Sequence, residues 1–123
     1  LEAEAKARGF EEHQCLVKSV GCLGLCGAGP LVRREPDGAM YQKVTPADAP
    51  AILDSLGSAP PARLLLDTAQ PFFARQTRIV TANSGRIDPE RLEDYIAAGG
   101  YETLARVLTE MSPQEVIGEI TRS

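Results

Sequence analysis

The sequence predicts an α/β chain in two unequal parts, a mixed first part followed by a mostly helical segment. Three observations predict it. Between residues 14 and 44, short half-apolar runs are interrupted by glycine-rich and Pro-Asp-Gly breaks, the pattern of brief strands and turns. From Asp88 onward, apolar residues recur at helical spacing behind helix-start signals. Between the two lies an Ala/Pro-rich stretch with Pro60 and Pro61 at its centre, the composition of a linker. The expected organisation is therefore 1–57, a linker over 58–71, and 72–123.

The elements follow in chain order. Leu1 to Gly9 reads as the end of a helix, with Ala3, Ala5 and Ala7 as good helix formers and Gly9 as its stop. Gln14 to Val20 has strand character. Gly21 to Pro30 is a loop with four glycines in ten residues. The runs Leu31–Glu35 and Ala39–Val44 flank Pro36-Asp37-Gly38 and predict an antiparallel hairpin, because Pro presets φ and Gly accepts a positive one. Thr45 then caps a helix, with Pro46 in its first turn and Asp48 at the positive end of the dipole. Ala49, Ile52, Leu53 and Leu56 form its apolar face, and Gly57 ends it.

Leu64, Leu65 and Leu66 are too apolar for a free linker and are expected to pack. Phe72 to Ala82 is mixed and partly extended. Asp88-Pro89-Glu90 opens a helix with Leu92, Tyr95 and Ile96 inward, closed by Gly99 and Gly100. The next helix carries Leu104, Val107, Leu108 and Met111 on one stripe. Ser112 and Glu115 form a capping box ahead of Val116, Ile117 and Ile120.

Composition narrows the function classes. The 123 residues are 43% hydrophobic and 24% charged, an ordinary globular balance. No window approaches the ~18 apolar residues of a membrane span, which argues against membrane insertion. The net charge of -4 and an aromatic content of 5% without Trp argue against nucleic acid, whose binding needs excess cations and stacking faces. One histidine, His13, and no nucleophile–base constellation argue against a hydrolase. Three cysteines with one close pair fit thiols in a reducing compartment rather than a secreted disulfide framework.

The segment with chemical content is Gly21 to Pro30. Cys22 and Cys26 stand four residues apart in a glycine-rich loop, where both sulfurs can turn to one metal. Gly21, Gly24, Gly27 and Gly29 remove bulk so that backbone N–H groups can approach those sulfurs, and Leu23, Leu25 and Ala28 offer an apolar collar. Two other uses of such a pair compete. Zinc wants four ligands, usually C-x2-C or His partners, and His13 alone cannot complete the set. Thiol redox pairs normally use C-x-x-C. Cys15 lies seven residues before Cys22, on the order of 20 Å along a strand at ~3.3 Å per residue, and reads as a packing residue. The chain thus holds two of the four thiolates a binuclear cluster requires.

The stretch Val20 to Val32, VGCLGLCGAGPLV, resembles the second half of thioredoxin-like [2Fe-2S] ferredoxin domains, and Gly38 to Asp48, GAMYQKVTPAD, resembles their closing hairpin and last helix. The later segments Phe72–Val80, Gly85–Pro89, Tyr95–Tyr101 and Leu108–Pro113 are similar to the lead-in of flavin-bearing NADH dehydrogenase subunits, as in complex I-type enzymes, NAD-reducing hydrogenases and NAD-dependent formate dehydrogenases. The resemblance implies an incomplete thioredoxin-like α/β domain over 1–57 and a truncated helical lead-in of a flavin/NADH-binding domain over 72–123. It implies that Cys22 and Cys26 are metal ligands supplying half of a [2Fe-2S] site. FMN and NAD would belong to the full-length parent, an NADH-dependent oxidoreductase that passes electrons from NADH through flavin to iron–sulfur clusters.

The early cysteine pair of that family and its strand are not in this chain, and Asn83-Ser84-Gly85 stands where many relatives have Asn-Cys-Gly. The fragment alone is expected to be inactive, with no nucleotide site, and to work with other subunits of an oxidoreductase complex in the cytoplasm or on the cytoplasmic face of a membrane complex. An unpaired sheet edge left by the missing strand predicts homo-oligomerisation. The competing reading is a cofactor-free docking module of such a complex.

Overall fold

A computed structural model describes all of residues 1–123. Its organised centre is a short antiparallel ribbon with a helix pair beside it. Helix α1 spans Glu2–Ala7, strands β1 and β2 span Val32–Arg33 and Met40–Tyr41, and helix α2 spans Ala49–Asp54. Val32 pairs with Tyr41 and Arg33 with Met40, and the Arg34 amide closes the hairpin onto the Ala39 carbonyl at 2.8 Å. Gly38, at φ +71°, supplies the positive φ expected at this turn.

The helix start at Thr45 forms as its sequence predicts. The Asp48 carboxylate accepts from the Thr45 backbone amide at 2.8 Å and from its hydroxyl at 2.7 Å. A single 3-10 turn over Pro46–Asp48 leads into α2. Ala49, Ile52 and Leu53 are buried, while Leu56, expected on the same face, lies past the helix end and is exposed. Helix α1 packs against α2, and Arg8 reaches Asp54 at 2.6 Å.

The leucine triplet inside the predicted linker does pack. The Leu66 amide donates to the Met40 carbonyl, the Gln42 amide donates to the Leu64 carbonyl, and Leu65 bridges Tyr41. This segment lies along β2 as a third extended piece. Tyr41, Ile52 and Leu64 form the core cluster, with Leu1, Val32, Ala39 and Val44 packed around it. Tyr41 has no exposed surface, and its hydroxyl meets the Ser55 hydroxyl at 3.4 Å. Arg34 ties this corner shut: it pairs with Asp37 and donates to the Ser55 carbonyl at 2.6 Å and the Ser58 carbonyl at 3.1 Å.

The strand expected over Gln14–Val20 does not form. Leu16 to Gly24 neither donates nor accepts a backbone–backbone hydrogen bond. A strand is defined by its partner's ladder, and this stretch has none, so its Val and Leu content is insufficient.

The second part contains four helices. Helix α3 spans Pro71–Ala74, α4 Leu92–Ala97, α5 Glu102–Glu110 and α6 Pro113–Arg122. Between α3 and α4, Gln76–Arg78 is irregular and Val80–Arg86 and Pro89–Glu90 form turns, with neither a strand nor an early helix start. The Asp88 carboxylate accepts from the Glu90 amide at 3.0 Å, which delays the helix to Leu92. The α6 box is complete: Glu115 accepts from the Ser112 amide and hydroxyl at 2.8 and 2.7 Å. The inward faces, however, are mostly uncovered: Val107, Met111 and Val116 are half-buried and Tyr95 stacks edge-on against Tyr101, but none of these apolar residues is buried. Leu92, Tyr95, Ile96, Leu104, Leu108, Ile117 and Ile120 are all exposed, because the periodicity that marks an apolar stripe does not provide its partner.

Candidate metal centre

Two pieces of backbone bring the predicted thiols together. Cys26 opens a 3-10 turn, Cys26–Ala28, whose last residue is buried. That turn is fastened to the chain beyond β2: the Lys43 amide donates to the Ala28 carbonyl at 2.9 Å and the Val44 amide to the Pro30 carbonyl at 3.1 Å. Cys22 sits on the unladdered stretch before it. Its sulfur accepts from the Gly24 amide at 3.3 Å. Gly24 adopts φ +104°, a conformation that suits glycine and aims its N–H back at the thiol. One of the backbone-to-sulfur approaches expected of the loop glycines is thus present.

The Cys22 and Cys26 sulfurs lie 3.8 Å apart. A tetrahedral metal with sulfur bonds of ~2.3 Å separates two of its thiolates by about 3.8 Å, so the pair has the spacing of two ligands on one metal. Neither cysteine is in a disulfide, and both are exposed. They border an open hollow of about 490 Å³ that includes Lys18, Val20, Leu25 and Leu31. The predicted collar is partial: Ala28 is buried and Leu23 and Leu25 are half-buried.

No third His, Cys, Asp or Glu joins the pair as a metal-holding group. His13 is exposed, with its Nδ1 3.6 Å from Glu11. Cys15 is half-buried and forms no metal-holding group with the pair, although the strand expected to separate them does not form. The donor set is two thiolates, which fits half of a four-thiolate cluster and does not complete a zinc site.

The second part of the chain reaches this loop. Arg78 Nη2 donates to the Leu23 carbonyl, between the two cysteines, at 2.8 Å. A side chain at Gly21 would meet the Ser84 hydroxyl at 2.9 Å, and one at Gly85 would meet a Leu23 methyl at 2.6 Å. Lys18, just before the loop, pairs with Asp94 of α4 at 2.6 Å. The Asp88 amide and Lys18 together hold the Asp94 carboxyl below its ordinary range. Nothing in the sequence singles out Arg78, a lone arginine 55 positions from its contact. The loop glycines, expected to admit backbone N–H groups to the sulfurs, also leave room for Arg78 at Gly24 and for Ser84 at Gly21.

No protein-family profile matches the chain. Part of it is similar to the NADP-reducing hydrogenase subunit HndC of Solidesulfovibrio fructosivorans, with 57% identity over 49 residues. That match covers 40% of this chain and 10% of the relative, so the matched part spans about a tenth of that protein's length. The matched segment is thus similar to a small part of a hydrogenase subunit. No helix is long and apolar enough to cross a membrane.

Proposed function

We propose that this chain is the electron-transfer portion of an NAD(P)H-dependent oxidoreductase subunit, and that Cys22 and Cys26 supply half of the ligands of a [2Fe-2S] cluster. The observation that carries the reading is the 3.8 Å sulfur pair with the Gly24 amide directed at one of its members. When bound, the cluster supplies one-electron chemistry. The protein's part is to hold two thiolates at one metal's spacing, to donate a hydrogen bond to sulfur, and to place the pair at the surface where ligands from elsewhere can close the set. Residues 1–57 then form an incomplete thioredoxin-like ferredoxin unit, and 72–123 lead into a flavin- and nucleotide-binding region supplied by a longer polypeptide. Hydride transfer from the nicotinamide to FMN belongs to that longer protein, and its partners are other subunits of the complex. The partial similarity to a hydrogenase subunit supports this assignment.

The test is to replace Cys22 and Cys26 by Ser in the full-length polypeptide and measure iron content and low-temperature EPR. The reading predicts loss of one binuclear signal with the remaining clusters intact. Unchanged iron and unchanged spectra would favour the second reading, a cofactor-free docking module, which has its own support in the uncovered apolar faces of α4, α5 and α6.

A further inference from the structure

The thiol loop is held from one side by a single cation. Arg78 Nη2 donates to the Leu23 carbonyl at 2.8 Å, and Nη1 lies 3.5 Å from the Ser84 carbonyl. No carboxylate pairs with Arg78, although most of the chain's other ion pairs engage an arginine. Its guanidinium occupies the space a β-carbon would take at Gly24. Gly24 in turn donates to the Cys22 sulfur, and Arg78, Gly24 and Cys22 border one hollow of about 370 Å³.

Two consequences follow from elementary physics. First, the guanidinium bridges two carbonyls, one in the thiol loop and one in the turn at Ser84. A charge-assisted hydrogen bond is about twice as strong as a neutral one, so this contact and the Lys18–Asp94 pair are the fastenings of a stretch that has no backbone ladder, and Arg78 is the one that grips it between the two cysteines. Second, a cation without a counter-carboxylate stabilises whatever negative charge gathers beside it, subject to screening by salt.

We propose that Arg78 is a positioning residue for the Cys22–Cys26 pair: it clamps the Leu23 carbonyl, thereby fixes the Gly24 amide on the Cys22 sulfur, and presents its positive charge to the pair. The inference rests on the cluster reading for its electrochemical consequence but not for the clamp itself.

Two measurements on the wild type, Arg78→Ala and Arg78→Lys test it. Hydrogen exchange of the Gly24 amide, the amide between Leu23 and Cys26 that has an acceptor, in the metal-free chain reads the clamp. Arg78→Ala is expected to speed it roughly tenfold, the loss of one charged hydrogen bond, and Arg78→Lys to restore it only in part. A dithionite titration of the full-length protein, followed by EPR, reads the charge. One electron from dithionite reduces the cluster. Arg78→Ala is expected to shift the oxidised-to-reduced ratio several-fold towards oxidised, which lowers the midpoint on a scale of ~59 mV per tenfold. Arg78→Lys is expected to retain the wild-type value, and raising the salt should shrink the difference.

Unchanged loop exchange in Arg78→Ala overturns the proposal. A loosened loop with an unmoved potential overturns its electrostatic half. A wild-type protein that takes up no binuclear cluster at this loop refutes the cluster reading instead, and the exchange result still decides the clamp.

Discussion

The two parts of the chain make their secondary structure in the same way and differ in what they do with it. Thr45 and Ser112 both open helices through a capping box followed by proline. Behind Thr45, the helix buries Ala49, Ile52 and Leu53, with Ile52 packed among Tyr41 and Leu64. Behind Ser112, Ile117 and Ile120 point into open space. Every buried side chain lies between Ala5 and Leu64, and beyond Leu64 the one buried residue is Gly85. Capping decides where a helix begins, whereas tertiary stability comes from the area the helix covers. The first part has found its partner surface and the second part has not.

That contrast can be broken by substitution. Ile52→Ala removes a side chain from the three-residue core and is expected to destabilise the first part by ~2–5 kcal/mol, read by chemical denaturation. An effect no larger than a surface change would mean the core has been misplaced. Ser112→Ala removes the hydroxyl that accepts from the Glu115 amide. It is expected to cost ~1 kcal/mol, confined to α6 and visible as lost helicity while the core transition stays put. Ile117→Ala, the counterpart of the core change, is expected to stay within ~0.5 kcal/mol. A large loss there would show that α6 has a partner surface after all.

Acid sharpens the same comparison. The Thr45 hydroxyl and amide, with Arg63 at 2.6 Å, hold Asp48 down to about 2. An unfolded aspartate titrates near ~3.9. The folded state therefore binds this proton less readily than the unfolded one. The stabilisation is complete above about pH 4 and is lost as the pH falls towards 2. Circular dichroism of the α2 region against pH should weaken in that window. Thr45→Ala should move its acid limb to higher pH, by removing the largest cause of the shift.

What was legible in the sequence was local. The hairpin at Pro36-Asp37-Gly38, the cap at Thr45 and the capping box at Ser112 depend on neighbours within a few residues, and they formed where expected, whereas the helix expected to run to Gly57 ends at Asp54. The C-x3-C loop was legible for the same reason, because four residues suffice to bring two sulfurs to 3.8 Å. What failed depended on distant partners. Leu16–Val20 needed a strand beside it, and the stripes on α4 to α6 needed a surface to cover. The docking of Leu64–Leu66 onto β2 was half legible: the triplet announced burial, but only the fold says that Met40 and Gln42 receive it. Arg78 was missed because its contact spans 55 positions and a lone arginine carries no pattern.

The central claim is that two thiols on one loop are half of a binuclear ligand set. Its most direct test is anaerobic reconstitution of the full-length polypeptide with iron and sulfide, followed by Mössbauer and EPR spectroscopy with Cys22 and Cys26 intact and then alkylated. The account predicts a binuclear, all-thiolate iron signal that alkylation of these two residues abolishes. The same signal surviving their alkylation would contradict it.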